Sequence, residues 1–205
     1  LRKNSPKKKS QYVRSLNNIF GTVLPKRNKL HNHELRYNTF KVQRRFRLFQ
    51  VLSGKALHIR KSAWEILRGD KTQVSAELWD ALKCDRFLME DGTFMPFSSI
   101  ADLECFLKSL RTKKQTQRAL IASEPASTAL SIADDICHYA EDELRTFTVR
   151  EMARFQSFPD AFIFKSKVTT GGKMRRFEVP QYTQVGNAVP PLLAKAIATN
   201  LLNRL

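Results

Sequence analysis

Thr148-Val149-Arg150-Glu151-Met152-Ala153-Arg154-Phe155-Gln156-Ser157-Phe158-Pro159-Asp160 is the stretch on which the reading of this chain turns. Thr148 and Glu151 stand at the S/T-x-x-E spacing of a capping box, which predicts that a helix starts here. Val149, Met152 and Phe155 recur at helical spacing and predict one apolar face, while Arg150 and Arg154, one turn apart, share another. Ser157-Phe158-Pro159-Asp160 should stop the helix, because the residue before a proline is pushed out of helical conformation. The residues alone leave two roles open for Arg150, a local one as a cap or a partner of Glu151, and a longer-range one.

A second stretch lies downstream, Gln181-Tyr182-Thr183-Gln184-Val185-Gly186-Asn187-Ala188-Val189-Pro190-Pro191-Leu192-Leu193-Ala194. Gly186-Asn187 predicts a tight turn, and Pro190-Pro191 sits where a helix can begin without wasting a backbone donor. Leu193, Ile197, Leu201 and Leu205 then repeat every fourth residue, with Leu192, Ala196 and Leu202 beside them. That pattern predicts a terminal amphipathic helix whose apolar stripe needs a surface to dock on. A turn entering a helix can present amide groups to a carboxylate or phosphate, although such a turn is as readily structural.

Composition bounds the rest. The 205 residues hold 36 Lys+Arg against 19 Asp+Glu, a net charge of +17, with 42% hydrophobic and 10% aromatic residues. That is enough apolar material for one medium domain or two small ones, and it excludes a collagen-like or wholly disordered chain. No run of about eighteen apolar residues occurs, and no apolar segment follows the basic start, so neither a membrane span nor a secretory signal is expected. Cys84, Cys105 and Cys137 form no CxxC pair. A disulfide framework or zinc site is therefore not expected, the thiols read as core or partly buried, and a cytoplasmic setting is. His31, His33, His58 and His138 lack metal-ligand company, so no metal is expected. The opening Leu1 in place of Met leads to the expectation that further sequence precedes it.

The charge is concentrated at one end. Residues 1–60 carry sixteen Lys/Arg and one acid, Glu34, whereas residues 61–205 are nearly balanced. So one-sided a segment repels itself unless a polyanion is near. Lys7, Lys8, Lys9, Lys26, Arg27, Lys29, Arg44, Arg45 and Arg47 are candidates for a phosphate backbone, with a solubilising basic tail as the alternative for residues 1–10. Where Phe40, Phe46 and Phe49 interleave with Arg44, Arg45 and Arg47, nucleic acid is the favoured partner. Charge alone does not separate DNA from RNA or an acidic protein.

Periodicity predicts a short helix around 11–20 and a basic helix between Glu34 and about Leu52, with a strand start near 39–42 as the alternative. Short helices broken at Arg68-Gly69-Asp70, a hairpin at Asp91-Gly92 and a helix over 100–110 follow. Residues 119–139 read as strands and turns, at Ala119–Ile121, Ala129–Ile132 and Ile136–Tyr139.

Taken together, the two quoted stretches resemble the last two signature blocks of the DNA (cytosine-5) methyltransferase family, in the right order and at a plausible separation. Asn32-His33 with Arg36 is similar to the start of that family's variable recognition region. The resemblance implies that Arg150, Glu151 and Gln156 organise a target-recognition domain, and that Asn187 and Ala188 touch S-adenosylmethionine. Gly186 would permit close backbone approach there. Lys165, Lys167, Lys173, Arg175 and Arg176, flanking Gly171-Gly172, would join Arg44, Arg45 and Arg47 in holding double-stranded DNA, a mobile basic loop being the alternative reading. It implies an α+β fold: a small mixed target-recognition domain at 31–180 after a basic irregular lead-in at 1–30, then a segment at 181–205. The terminal helix of that segment would return to an α/β, Rossmann-like methyltransferase domain absent from this chain.

The family's chemistry needs a Pro-Cys nucleophile, a Glu-Asn-Val acid and a Phe-x-Gly-x-Gly cofactor loop, and none occurs here. No catalytic residue is therefore assigned. The expectation is a DNA-reading portion of a restriction-modification methyltransferase, inactive by itself and completed by an N-terminal catalytic half in the same or another chain, since some relatives are encoded as two chains. The alternative is a stand-alone DNA-binding protein that has lost catalysis.

Overall fold

A computed structural model describes residues 10–23, 30–114, 116–126, 135–169 and 177–204. Along the chain run α1 (Gln11–Ile19), α2 (Phe40–Ser53), α3 (Leu57–Arg68) and α4 (Ala76–Leu82), then β1 (Phe87–Leu88), β2 (Phe94–Met95) and α5 (Ile100–Ser109). β3 (Arg118–Ala119), β4 (Ile136–Cys137), α6 (Val149–Phe155), α7 (Gln181–Asn187) and α8 (Pro191–Leu202) complete the described elements. The fold is α+β and rich in helix, with strands of two residues each among the described residues.

Two compact units divide the chain. The described parts of 36–127 and 134–146 make one, and those of 1–35 and 147–205 the other. These packing boundaries differ from the 30/31 and 180/181 divisions expected from sequence. Residues 31–32, 147–164 and 181–185 share one hydrogen-bonded core, so the α6 stretch packs with the end of the chain.

In the 36–146 unit, local signals place the elements. The Ser75 and Ser99 hydroxyls accept from Leu78 N and Asp102 N, each at 3.2 Å, and so cap α4 and α5. α3 ends where Gly69 takes φ +91°, a left-handed cap that a side chain would strain. The Asp91-Gly92 turn, with Gly92 at φ +85°, joins β1 to β2 as an antiparallel pair with Phe87 opposite Met95. β3 and β4 pair in parallel, Arg118 opposite Ile136. The strand expected over Ala119–Ile121 is thus confined to Arg118–Ala119, and Ala129–Ile132 lies outside the described residues. The core packs Phe46, Phe49, Leu67, Leu78, Leu103 and Leu107, with the rings of Phe87, Phe97 and Phe106 centred 4.9–5.5 Å apart.

In the other unit, α1, α6 and α7 bury Leu16, Val149, Met152, Tyr182 and Val185. Ser157, at φ +61°, ends α6 as the sequence implies. The tight turn expected at Gly186-Asn187 is not found. Both residues continue α7, and the chain breaks at Ala188 (φ −77°, ψ 144°), because Pro190 and Pro191 start the next helix. α8 buries no residue.

Candidate functional site

The Thr148 capping box forms as expected. Thr148 Oγ1 accepts from Glu151 N at 3.2 Å, and Glu151 Oε2 accepts from Thr148 N at 2.8 Å. It fixes the start of α6, and thereby the side on which Arg150 projects.

Arg150 has 0% exposure. It makes none of the expected local pairs with Glu151, whose carboxylate is turned to the cap. Its Nε donates to His31 O and its Nη1 to Pro159 O, each at 3.1 Å, and Nη2 donates to Phe162 O and to Asn32 Oδ1. Burial pulls this guanidinium below its ordinary pKa, and Asp160 nearby opposes that shift. Asn32 reciprocates. At φ +61°, a conformation asparagine tolerates, its Oδ1 accepts from Phe164 N at 3.0 Å and its Nδ2 donates to Phe164 O and Gln181 Oε1 at 2.9 and 3.0 Å. Arg154 grips the buried Asp160 with two bonds of 2.9 and 2.8 Å. Asp160 N in turn donates to Asn17 Oδ1 at 3.0 Å. Asn32, Asn17, Asp160 and Gln181 escaped the sequence reading as members of this network. Their partners lie up to 149 residues away, and no local pattern signals them.

Beyond α6 the chain reaches the α7–α8 junction. Gln156 Nε2 donates to Val185 O at 3.4 Å, and Ser157 Oγ accepts from Leu192 N at 3.1 Å. These two contacts straddle Gly186, Asn187 and Ala188. Asn187 is exposed, and Gly186 and Ala188 are half-buried. Along α8, Leu193, Ile197 and Leu201 stand 51%, 52% and 60% exposed on one stripe.

The basic candidates are distributed unevenly. Lys165 and Lys167 are exposed, Lys167 lying 3.3 Å from Glu178. Lys173, Arg175 and Arg176 lie outside the described residues, as do Lys7, Lys8, Lys9, Lys26, Arg27 and Lys29. Arg44, Arg45 and Arg47 each direct two guanidinium nitrogens to acceptors inside their own unit. Arg44 Nε reaches Leu88 O at 3.0 Å and its Nη1 Glu90 at 3.1 Å, with the guanidinium 5.0 Å above the Phe106 ring. Arg45 Nε reaches Leu110 O at 3.2 Å. Arg47 Nε reaches Arg86 O at 2.7 Å and its Nη2 pairs with Glu141 at 2.9 Å. Among the cysteines, Cys84 and Cys105 are exposed and only Cys137 is buried, which corrects the expectation of core or partly buried thiols for the first two. No cluster of His, Cys, Asp or Glu fit to hold a metal occurs among the described residues, and no described helix is long and apolar enough to cross a membrane.

Comparison with known proteins gives matches among type II methyltransferases. The chain is 54% identical over 57 residues to the type II methyltransferase M.DdeI of Desulfomicrobium norvegicum, a match covering 28% of this chain and 13% of that protein. It is 48% identical over 67 residues to M1.HphI of Haemophilus parahaemolyticus, covering 33% of this chain and 15% of the relative. With M.AquIB of Picosynechococcus sp. it shares 40% identity over 90 residues, 43% of this chain and 63% of the relative. The chain therefore spans less than two thirds of each of these relatives, and a small fraction of most. No solved structure matches it. The family model for C-5 cytosine-specific DNA methylases accounts for residues 2–203, so this chain belongs to the C-5 cytosine-specific DNA methylase family.

Proposed function

We propose that this chain is the DNA-reading, C-terminal portion of a DNA (cytosine-5) methyltransferase of a type II restriction-modification system, completed by a catalytic portion that carries the nucleophile. The observation that carries the reading is α8. Its stripe of Leu193, Ile197 and Leu201 is exposed while its first turn is held by Ser157. A helix so apolar gains by burial, and a methyltransferase large domain is the surface that the family resemblance supplies. The short relative M.AquIB, most of which is matched by this chain, fits a division of the enzyme into two polypeptides.

In this reading each segment has a task. The 36–146 unit is the target-recognition domain. Arg150, Glu151 and Gln156 organise the core of the other unit. The junction at Gly186, Asn187 and Ala188 forms one wall of the S-adenosylmethionine pocket. The residues suit such a wall: Asn187 offers an exposed amide that can both donate and accept, and Gly186 and Ala188 leave room for close approach. When bound, S-adenosylmethionine supplies the methyl group. The catalytic portion contributes the Pro-Cys thiolate that attacks C6 of a cytosine flipped out of the duplex. Lys165 and Lys167 contact phosphates directly. Arg44, Arg45 and Arg47 keep their charge while spending their hydrogen bonds internally, and so add to the positive field that steers DNA.

The test is reconstitution. The purified chain, a companion carrying the Pro-Cys and Phe-x-Gly-x-Gly blocks, and their mixture are each supplied with radiolabelled S-adenosylmethionine and duplex DNA. Label at cytosine carbon-5 only in the mixture is the expected result. Tight sequence-specific DNA binding by this chain, with no methylation on mixing, would instead identify a stand-alone DNA-binding protein.

A further inference from the structure

A cleft in the 36–146 unit has a volume of about 400 Å³ and lies between one face of α3 and the chain around β3. Leu57, Arg60, Lys61 and Trp64 fall on a single stripe of α3, at the i, i+3, i+4 and i+7 positions, and all line it. Arg118 on β3 lies on its other side. Three cations thus meet one acid, Glu124, on its walls.

Arg60 is the unusual member. Its Nε is buried and has no hydrogen-bond acceptor among the described residues. A guanidinium with an unpaired donor gains from an anion placed against it, and the half-buried Arg60 lines the cleft. The contrast lies within the same unit, where Arg44, Arg45 and Arg47 each meet a backbone carbonyl. The apolar part of the cleft narrows the choice. Leu57 is 58% exposed and Trp64 is half-buried, so the ligand has an apolar or aromatic part as well as an anion. A phosphodiester with its attached sugar and base meets both requirements, since bases stack on aromatic side chains whatever their sequence.

We infer that the Arg60–Lys61–Arg118 cleft is an anchoring site for a backbone phosphate of bound DNA, with the adjoining nucleotide against Leu57 and Trp64. This rests on the DNA-reading role proposed above and assigns it residues that the basic-cluster reading passes over.

The test is the salt dependence of duplex binding by the full chain, read by fluorescence anisotropy of a labelled oligonucleotide. Arg60→Gln should lower the log–log slope by about 0.9, the share of one phosphate, with an unchanged melting temperature. Lys61→Gln and Arg118→Gln, both at exposed positions, should each lower it as well and decide the matter should Arg60→Gln prove unstable. An unchanged slope in all three variants overturns the site. Displacement of the duplex by dAMP at equal nucleotide concentration overturns the assignment to DNA and points to a free nucleotide. A wild-type chain that shows no salt-dependent DNA binding defeats the functional reading itself, an outcome distinct from a variant slope that stays put.

Discussion

Arg150 gives its guanidinium to backbone oxygens of His31, Pro159 and Phe162 and to the Asn32 side chain, all inside the protein. A lysine there has a single ammonium and no planar fork, so it cannot reach all four acceptors at once. Arg150→Lys is expected to cost about 3 kcal/mol of stability in urea unfolding, as for other buried charges deprived of part of their partners. At the other extreme of reactivity is Cys137, whose thiol burial pushes well above the ordinary cysteine range. Native protein treated with iodoacetamide should be modified at Cys84 and Cys105 and spared at Cys137, with all three labelled in denaturant, as read by mass spectrometry. The same thiol makes a pH prediction. It keeps its proton in the folded state while the unfolded chain loses it above about pH 8.5, so this contribution is intact below that pH and declines by about 1.4 kcal/mol per pH unit above it. At this scale the capping box was legible because its two members are three residues apart. Arg150's burial was not, since its acceptors include residues 118 and 119 positions away.

α2 shows how an element's composition can point to one role and its packing to another. Its three arginines, interleaved with Phe46 and Phe49, read as a phosphate-binding face. In the folded unit they tie the helix to the carbonyls of Leu88, Leu110 and Arg86. Hydrogen bonds from a charged donor are each worth about 1.5–3 kcal/mol. Replacing Arg44, Arg45 and Arg47 together by Gln should therefore destabilise the unit by at least about 3 kcal/mol, seen as a lower thermal midpoint. α8 predicts the reverse pattern. Leu193→Glu with Ile197→Glu alters exposed positions, so the melt of the isolated chain should move by less than about 0.5 kcal/mol. Pull-down with the catalytic portion should be lost, and a pull-down that survives would leave the stripe without its assigned role. The helices around 11–20 and 100–110 and the pair broken at Gly69 were placed by periodicity, while α7 was not foreseen. The turn at Gly186-Asn187 was misread because a Gly-Asn pair is equally at home in the last turn of a helix when the chain breaks just after it.

For the whole molecule, membership in the C-5 cytosine-specific DNA methylase family follows from residues 2–203, while the division into two compact units follows from contacts. Sequence by itself determined the capped start of α6, the breaks at Gly69 and Ser157-Phe158-Pro159, the hairpin, the concentration of positive charge in residues 1–60, and the two signature stretches that reveal the family. Each of these is encoded within a few residues, where steric limits and local hydrogen bonds act directly. Only the tertiary structure decided which arginines are buried scaffolding, that 147–164 shares a core with Asn32 and Gln181, that Arg60 lines a cleft with its Nε unpaired among the described residues, and that α8 buries no residue. Those outcomes depend on pairings between residues far apart in the chain, and the cost of burying a charge is settled only when its distant partners arrive.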